Sequence, residues 1–234
     1  MSSTAALLRI KLDPLPAQPG GSPTGVPVNL EREGQTAVLH SPEGTGEEAL
    51  PLLIVLHGAG KGKHYQLAPL IEPWGERAKR LKMLVLYPEA REHTWDYIKN
   101  KRTSRNDMDF LQWAINATRS TFRVDDKRIA VLGISDGGSM ALSLAVHNPG
   151  VFQAGLSASA GFCSSPPPAA RLSPKIFLLH GEKDTMFPLA RTGYKVRDEL
   201  IKAGYSVEFA VGKGQGHIPE GWQEQFLPAW LAIP

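Results

Sequence analysis

The sequence predicts an α/β fold in which a mostly parallel central sheet is flanked by helices. From residue 50 onward, short apolar runs alternate with longer amphipathic segments, which is the chain order of strands and helices in such a sheet. The runs are apolar without alternation, as in Leu52–Leu56 and Met83–Tyr87, and this is typical of parallel strands buried on both faces. In addition, a G-x-S-x-G turn at 133–137 follows one apolar run and opens a helical segment.

The elements can be assigned in chain order. The expected strands are Thr36–His40, Leu52–Leu56, Met83–Tyr87, Ile129–Leu132, Phe152–Ser157, Ile176–Leu179 and Val207–Val211. The expected helices between them are Leu67–Arg80, Asn106–Thr121, Ser135–His147 and Thr192–Ala203. Gly204 suits the C-terminal end of the fourth helix. Trp222, Phe226 and Trp230 form an apolar stripe, which we interpret as the core face of a final helix.

The N-terminal 34 residues differ in character from the rest of the chain. Leu7–Leu12 alternates apolar and basic residues, which predicts a half-buried edge strand. Residues 13–34 are rich in proline and glycine and poor in large apolar residues, so we expect a loop. We therefore divide the chain into an N-terminal extension, residues 1–34, and one catalytic domain, residues 35–234.

Composition narrows the classes of function. The net charge of +3 is small, which argues against a nucleic-acid partner, and the basic stretch 99–105 is interpreted as a solvated loop. No run approaches the roughly 18 apolar residues of a membrane span. The single cysteine, Cys163, allows no internal disulfide, and residues 1–20 lack the basic flank and long apolar segment of a signal peptide. A cytoplasmic protein is expected.

Neither a metal site nor a cofactor site is predicted. The histidines show no H-E-x-x-H spacing, and one cysteine cannot form the pairs of a zinc site. The stretch 57–64 contains glycines and lysines but is not a phosphate-binding loop. His57 stands where the first glycine is needed, and His64 stands where serine or threonine is needed.

Two glycine-containing segments at strand ends suggest a nucleophile and an oxyanion hole. Open α/β sheets place their chemistry at the carboxyl ends of strands. Ser135 is the predicted nucleophile, because the glycines of its turn let the backbone bend tightly and hold the hydroxyl out at the strand end. In His57–Gly60, glycines let amide N–H groups face the cleft. We assign the N–H groups of Ala59 and Asp136 as the oxyanion hole, since the N–H of a residue that begins a helix is free.

Two further strand ends supply an acid and a base. Asp184 is expected to orient a histidine, and Glu182 is the competing acid. His217, in a glycine-rich loop after the last strand, is the predicted general base. His180 precedes a tight turn, and a structural hydrogen bond is expected for it. The order serine, aspartate, histidine is that of the α/β-hydrolases and differs from the orders in chymotrypsin and subtilisin.

Motifs between residues 35 and 231 carry a family resemblance. They are LLIVLHGAG (52–60), LYPEA with TWD (86–96), NDMDFL (106–111), VDDKRIAVLGISDGGSMALSLA (124–145), SASAGF (157–162), LLHGEKD (178–184), AGYSVEF (203–209) and GQGHIP (214–219). With them the chain resembles the small bacterial-type esterases of the α/β-hydrolase superfamily, in the phospholipase/carboxylesterase group near the poly(3-hydroxybutyrate) depolymerase-like esterases. The resemblance implies an α/β-hydrolase fold, ester hydrolysis, a Ser135–Asp184–His217 triad and an oxyanion hole at Ala59 and Asp136.

The chain also departs from these relatives in two ways. Many depolymerase-like members are secreted and carry several cysteines and a substrate-binding extension. This chain has a single cysteine and no such extension is expected, which argues against polymer degradation. The acyl-protein thioesterases of the group commonly carry glutamine after the nucleophile, where this chain has Asp136.

The predicted function is hydrolysis of small-molecule carboxylic esters with short acyl groups, through an acyl-enzyme on Ser135. The elements between Ser135 and Asp184 leave no long helical insertion for a large lid, so we expect an open, shallow acyl site. Trp95, Phe162 and Met186 are candidate walls of that site, and Trp95 suits a packed loop anchor equally well. The alternatives are a thioesterase, peptidase or acyltransferase on the same fold, or a non-catalytic receptor with this fold.

Overall fold

One eight-stranded sheet organises the protein. The computed structural model describes residues 4–15, 21, 23–44, 48–60, 68–99 and 105–233. The strands are β1 (Val28–Arg32), β2 (Gln35–His40), β3 (Leu50–Leu56), β4 (Leu84–Pro88), β5 (Val124–Ile134), β6 (Ala154–Ala158), β7 (Lys175–Gly181) and β8 (Val207–Gly212). The helices are α1 (Thr4–Leu7), α2 (Ala68–Leu81), α3 (Asp96–Lys99), α4 (Asn106–Thr121), α5 (Asp136–His147), α6 (Gly193–Lys202) and α7 (Leu227–Leu231).

The sheet is parallel except at one edge. In space the strands follow the order β1-β2-β4-β3-β5-β6-β7-β8. Strands β3 to β8 pair in parallel, whereas β2 pairs antiparallel with both β1 and β4. The predicted mostly parallel sheet with flanking helices is therefore confirmed. Because the parallel strands point the same way, the loops that follow them meet at one edge of the sheet.

Helices cover both faces of the sheet, which explains the unbroken apolar strands. Along β3, Leu52 and Ile54 belong to one core, which α4, α5 and α6 complete. Leu53 and Val55 belong to a second core on the opposite face, which α2 and the C-terminal segment complete. Every residue of β3 is buried. A strand with core on both sides has no reason to alternate between apolar and polar residues.

The sheet begins earlier in the chain than the sequence suggested. Val28–Arg32 forms β1, which pairs with β2 in an antiparallel hairpin whose turn is Glu33–Gly34. The expected boundary between residues 34 and 35 therefore falls at the tip of a hairpin. The sequence carries little signal for β1, because this strand lies at the sheet edge, where most of its side chains are exposed and few need to be apolar.

Residues 8–13 form neither helix nor strand, so the predicted edge strand Leu7–Leu12 is wrong. Leu8 and Ile10 are buried in the core beneath α4 and α5. Side-chain amides take the place of a strand partner: Asn148 accepts the Ile10 N–H at 2.8 Å and donates to the Leu8 carbonyl at 2.8 Å. Asn116 makes the same two kinds of bond a little further along the segment. The alternating pattern was real, but the partner is a pair of helices.

The C-terminal apolar stripe packs into the second core, as expected. Phe226 and Trp230 are buried, and the Trp222 ring lies edge-on to Trp74, with 6.3 Å between ring centroids. The last helix is shorter than a three-residue stripe suggests, because α7 spans Leu227–Leu231 only. Among the helices in the described part of the chain, none has the length and apolar character needed to cross a membrane.

The turn around Ser135 leaves no room for a side chain at its glycines. A Cβ atom at Gly137 would lie 2.2 Å from the Leu56 carbonyl oxygen, and one at Gly133 would lie 2.1 Å from the Gly137 carbonyl oxygen. Because both obstacles are backbone atoms, Gly137→Ala is expected to destabilise the protein by about 3 kcal/mol or more, measured as the free energy of unfolding in urea. Gly216→Ala is the control, since nothing lies within 4 Å of its Cβ position. Equal stability of the two variants would contradict the packing described here.

Candidate active site

Ser135 sits on a strained turn between β5 and α5. Its φ and ψ angles are 56° and −121°, in a region that residues other than glycine rarely adopt. The turn is held by a hydrogen bond from the Ser135 N–H to the Ala158 carbonyl at 2.9 Å, at the end of the neighbouring strand β6. The sequence prediction of a sharp strand-to-helix turn at this serine agrees with this geometry.

Three strand ends bring a serine, a histidine and an aspartate into one chain of hydrogen bonds. His217 Nε2 lies 2.9 Å from Ser135 Oγ, and His217 Nδ1 lies 2.8 Å from Asp184 Oδ2. The three residues follow β5, β7 and β8, although 82 residues separate the serine from the histidine in sequence. In this arrangement Nδ1 carries the ring proton and donates a hydrogen bond to the carboxylate, which leaves Nε2 free to accept the serine proton.

Asp184 is fixed as an acceptor by the turn that follows it. Its Oδ1 accepts the N–H groups of Met186 at 2.9 Å and Phe187 at 2.8 Å, while Oδ2 faces His217. Burial acts to raise the pKa of Asp184, but the Phe187 N–H, His217 and the Met186 N–H outweigh it, and the pKa is lowered. The carboxylate therefore stays ionised at neutral pH and can stabilise a protonated histidine.

The other candidate acid and the other nearby histidine have structural contacts. Glu182 is exposed, and its carboxylate accepts the Gly214 N–H at 2.8 Å, which ties down the loop that carries His217. His180 is buried, and its Nε2 lies 2.7 Å from the Phe187 carbonyl oxygen and 3.3 Å from Asp184 Oδ2. The structural hydrogen bond expected for His180 is present.

Phe187 is a neighbour of the site that the sequence did not reveal. Its ring meets the His217 ring edge-on, with 5.3 Å between centroids. Phe187 also lies against Gly161, where a Cβ would come within 3.0 Å of the ring. No motif marks this position, and its only signal is its place three residues after Asp184 in the turn that this carboxylate organises.

The two predicted oxyanion donors lie on segments that meet at Ser135. Asp136 is the first residue of α5, so its N–H has no partner within the helix and points along the positive end of the helix dipole. The loop after β3 packs against the turn, because a Cβ at Gly58 would lie 3.2 Å from Ser135 Cβ. Ala59 is the next residue in that loop, which brings its N–H to the same end of the sheet.

His57 and Trp95 stabilise the loop after β3 through hydrogen bonds and ring packing. The Ala90 N–H donates to His57 Nε2 at 3.0 Å, so the ring proton is on Nδ1, which donates to the Gly58 carbonyl at 2.7 Å. Burial lowers the pKa of His57 and keeps the ring neutral. Trp95 is only 1% exposed, its ring packs on His57, and its indole N–H donates to the His57 carbonyl at 2.9 Å. This burial fits the interpretation of Trp95 as a packed loop anchor and argues against Trp95 as a wall of the acyl site.

A comparison with known families identifies the chain. A model of the dienelactone hydrolase family matches residues 82–218, which is more than half of the sequence and includes all three members of the hydrogen-bond chain. The protein belongs to the dienelactone hydrolase family. This family is part of the α/β-hydrolase superfamily, so the resemblance found in the sequence is confirmed at that level.

One relative among the curated proteins is similar to part of this chain. The chain is 30% identical over 152 residues to "Putative esterase NocK" of Nocardia uniformis subsp. tsuyamanensis, in an alignment that covers 60% of this chain and 42% of that protein. The chain thus spans less than half of that relative's length.

Solved structures show the same fold. The S-formylglutathione hydrolase FrmB of Staphylococcus aureus superimposes with a TM-score of 0.65 at 16% identity, covering 88% of this chain and 94% of that chain. A thermostable esterase superimposes with a TM-score of 0.70 at 18% identity, covering 88% and 61%. The predicted α/β-hydrolase fold is confirmed.

The remaining candidate wall residues of this dienelactone hydrolase family member lie in different surroundings. The Met186 side chain is 64% exposed, and its backbone N–H serves Asp184. Phe162 is half-buried and lines an open cavity of about 690 Å³ that also borders Tyr97 and Val196. Gly161, which lies against the Phe187 ring, lines the same cavity.

The only cysteine of this family member borders the same cavity but is unsuited to nucleophilic chemistry. Cys163 is buried, and burial raises the pKa of its thiol far above neutrality. A protonated, buried thiol is a poor nucleophile. Within the described ranges, histidine, cysteine, aspartate and glutamate side chains form no cluster of three or more that could hold a metal ion.

Proposed function

We propose that the protein is a serine esterase that cleaves small carboxylic esters through an acyl-enzyme on Ser135. The observation that carries this proposal is the unbroken chain from Asp184 through His217 to Ser135 Oγ, with both hydrogen bonds under 3 Å. A serine on a strained strand-to-helix turn, hydrogen-bonded to an imidazole that a carboxylate orients, is the arrangement that activates a hydroxyl group for attack on a carbonyl. Family membership and the esterase relatives support the same reaction class.

The reaction would proceed in two halves. Ser135 Oγ attacks the ester carbonyl while His217 Nε2 takes its proton, and Asp184 stabilises the imidazolium that forms. The N–H groups of Ala59 and Asp136 donate hydrogen bonds to the carbonyl oxygen and stabilise the negative charge that develops on it. The imidazolium then protonates the departing alkoxide, which leaves an acyl group on Ser135. Water attacks that acyl group with His217 again as the base, and the acid is released.

The surroundings of the serine support a short acyl group. The structure describes every residue from 105 to 233, and within that range the segment between β6 and β7, residues 159–174, contains no helix that could fold over the site. We propose that the acyl group lies in an open, shallow site, and that Phe162 contacts the larger substrates that reach the cavity it lines. The single cysteine supports the prediction of a cytoplasmic location.

A panel of p-nitrophenyl esters tests the proposed substrate class. Acetate and butyrate esters are expected to give kcat/KM values at least about 10-fold above the dodecanoate ester, because a shallow site gains little from additional methylene groups. Matched thioester and anilide substrates separate an esterase from a thioesterase or a peptidase, and addition of a competing alcohol reveals acyl transfer. A preference for the dodecanoate ester or for the anilide would contradict the proposal. A serine inert to a fluorophosphonate label would favour a receptor.

A further inference from the structure

One loop contacts both halves of the proposed oxyanion hole. This loop, which we call the clamp loop, is residues 89–95 and connects β4 to α3. It lies at the carboxyl edge of the sheet, next to the loop after β3 and the start of α5. None of its side chains belongs to the serine, histidine and aspartate chain, so its contacts need another explanation.

On one side the clamp loop brackets Ala59. The Ala90 N–H binds the His57 ring at 3.0 Å, and the Trp95 indole N–H binds the His57 carbonyl at 2.9 Å. Beyond Ala59, the Gly60 N–H donates to the His93 carbonyl at 2.7 Å. Three hydrogen bonds therefore fix the residues two before and one after Ala59, and the direction of the Ala59 N–H follows from them.

On the other side the clamp loop reaches Asp136. The Thr94 hydroxyl donates to Asp136 Oδ2 at 2.6 Å. This bond orients the Asp136 side chain at the first turn of α5 and directs its carboxylate toward a donor in the clamp loop. The adjacent residues Thr94 and Trp95 thus contact Asp136, which carries one proposed donor, and His57, two residues before the other. We expect a shift of the clamp loop to disturb both.

A single buried carboxylate holds the clamp loop in place. Asp107, in the first turn of α4, is 1% exposed. Its Oδ1 accepts the Arg91 N–H at 2.9 Å and the Gln35 side-chain amide at 2.9 Å, and its Oδ2 accepts the Asp96 N–H at 2.6 Å. Two of these donors are backbone groups at either end of the segment that contains Thr94 and Trp95. Burying a carboxylate is unfavourable unless such donors satisfy it, so the arrangement is specific.

We propose that Asp107 is a positioning residue for the oxyanion hole, acting through the clamp loop on the N–H groups of Ala59 and Asp136. This role rests on the proposed esterase function. The oxyanion must lie about 2.7–3.1 Å from its donors, and a displacement near 1 Å in a reacting geometry costs roughly 100-fold in rate. Asp107 contacts neither the substrate nor the triad, so its effect falls on the transition state and leaves substrate binding largely unchanged.

Asp107→Asn tests the role with minimal change in shape. One carboxylate oxygen becomes an NH₂ group, which cannot accept the hydrogen bond of the Asp96 N–H or the Arg91 N–H. At that position two hydrogen-bond donors then face each other. With p-nitrophenyl acetate, kcat is expected to fall about 10- to 100-fold while KM stays within about threefold. The affinity for phenylboronic acid, whose serine adduct places an oxygen in the hole, is expected to fall in parallel with kcat/KM. A purely structural role would lower the melting temperature without this parallel.

A matched control and a second variant keep the test decisive. Asp109→Asn makes the same change two residues away on α4, where the carboxylate is exposed and pairs with Arg105. It is expected to keep kcat within about twofold. Trp95→Phe keeps an aromatic ring but removes the N–H donated to the His57 carbonyl, and it is expected to lower kcat about 10-fold. The Trp95→Phe variant tests the clamp loop if the Asp107→Asn variant does not fold.

The outcomes separate this inference from the proposed function. A folded Asp107→Asn or Trp95→Phe variant with kcat and boronate affinity equal to those of Asp109→Asn would overturn the positioning role and leave the esterase function standing. A wild-type protein that neither turns over esters nor reacts with fluorophosphonate would overturn the esterase function, and the positioning role with it.

Discussion

Ser135→Ala is expected to lower kcat/KM for p-nitrophenyl acetate by about 10⁴-fold or more, because the nucleophile of a cooperating triad is lost. The variant should fold like the wild type, since alanine removes only the hydroxyl and the positive φ of 56° is already present with serine. Steady-state hydrolysis and labelling with a fluorophosphonate probe measure the effect. The labelled fraction should fall to background together with turnover.

An exposed serine provides the control for this substitution. Ser120, near the end of α4, is exposed and far from the loops that carry the triad, so Ser120→Ala is expected to stay within about twofold of the wild type. Turnover that survives in Ser135→Ala, with an intact fold by circular dichroism, would remove the serine from the mechanism. The acyl-enzyme would then have to be abandoned as well.

Asp184→Asn is expected to lower kcat by about 10⁴-fold at neutral pH, with little change in fold. The side-chain oxygen is required by the Met186 and Phe187 N–H groups, so the NH₂ group of the asparagine must face His217. His217 Nδ1 then has to accept a hydrogen bond, which places the ring proton on Nε2. A histidine in that tautomer cannot take the proton of Ser135.

Glu182→Gln is the matched control, because Glu182 is the other acid in the same turn. Glutamine can still accept the Gly214 N–H that the carboxylate holds at 2.8 Å, so the loop with His217 should keep its place. The change is expected to alter kcat by less than about fivefold. A larger loss of kcat in Glu182→Gln than in Asp184→Asn would identify Glu182 as the orienting acid and would contradict the assignment of Asp184.

Local sequence patterns predicted most of the sheet and all members of the serine, histidine and aspartate chain. Strands such as β3 are apolar throughout because core lies on both faces, and this leaves a direct signal in the sequence. The triad residues follow strands, and parallel strands deliver their loops to one edge. Ser135, Asp184 and His217 could therefore be brought together without knowing the strand order. Sequence patterns predict structure well where the residues of a short segment determine its conformation and burial.

Contacts between distant segments left no such pattern. The docking of residues 8–13 depends on Asn116 and Asn148, which lie more than 100 residues away and carry no periodic signal. The burial of Trp95 depends on His57 and on the anchoring of its loop by Asp107. Each of these contacts is a side-chain hydrogen bond whose partner lies far away in sequence. The partner is determined only when the helices, strands and loops pack together.

The proposed general base, His217, follows an edge strand of the sheet. Within the described part of the chain, strand β8 pairs only with β7, its residues are at most half-buried, and His217 follows five residues after its end. Marginal strands open at a lower free energy than central ones. Fraying of β8 would withdraw the imidazole while β3, β5 and β6 stay packed around the serine. If His217 is the base, we therefore expect ester turnover to be lost on heating at a lower temperature than the folded structure.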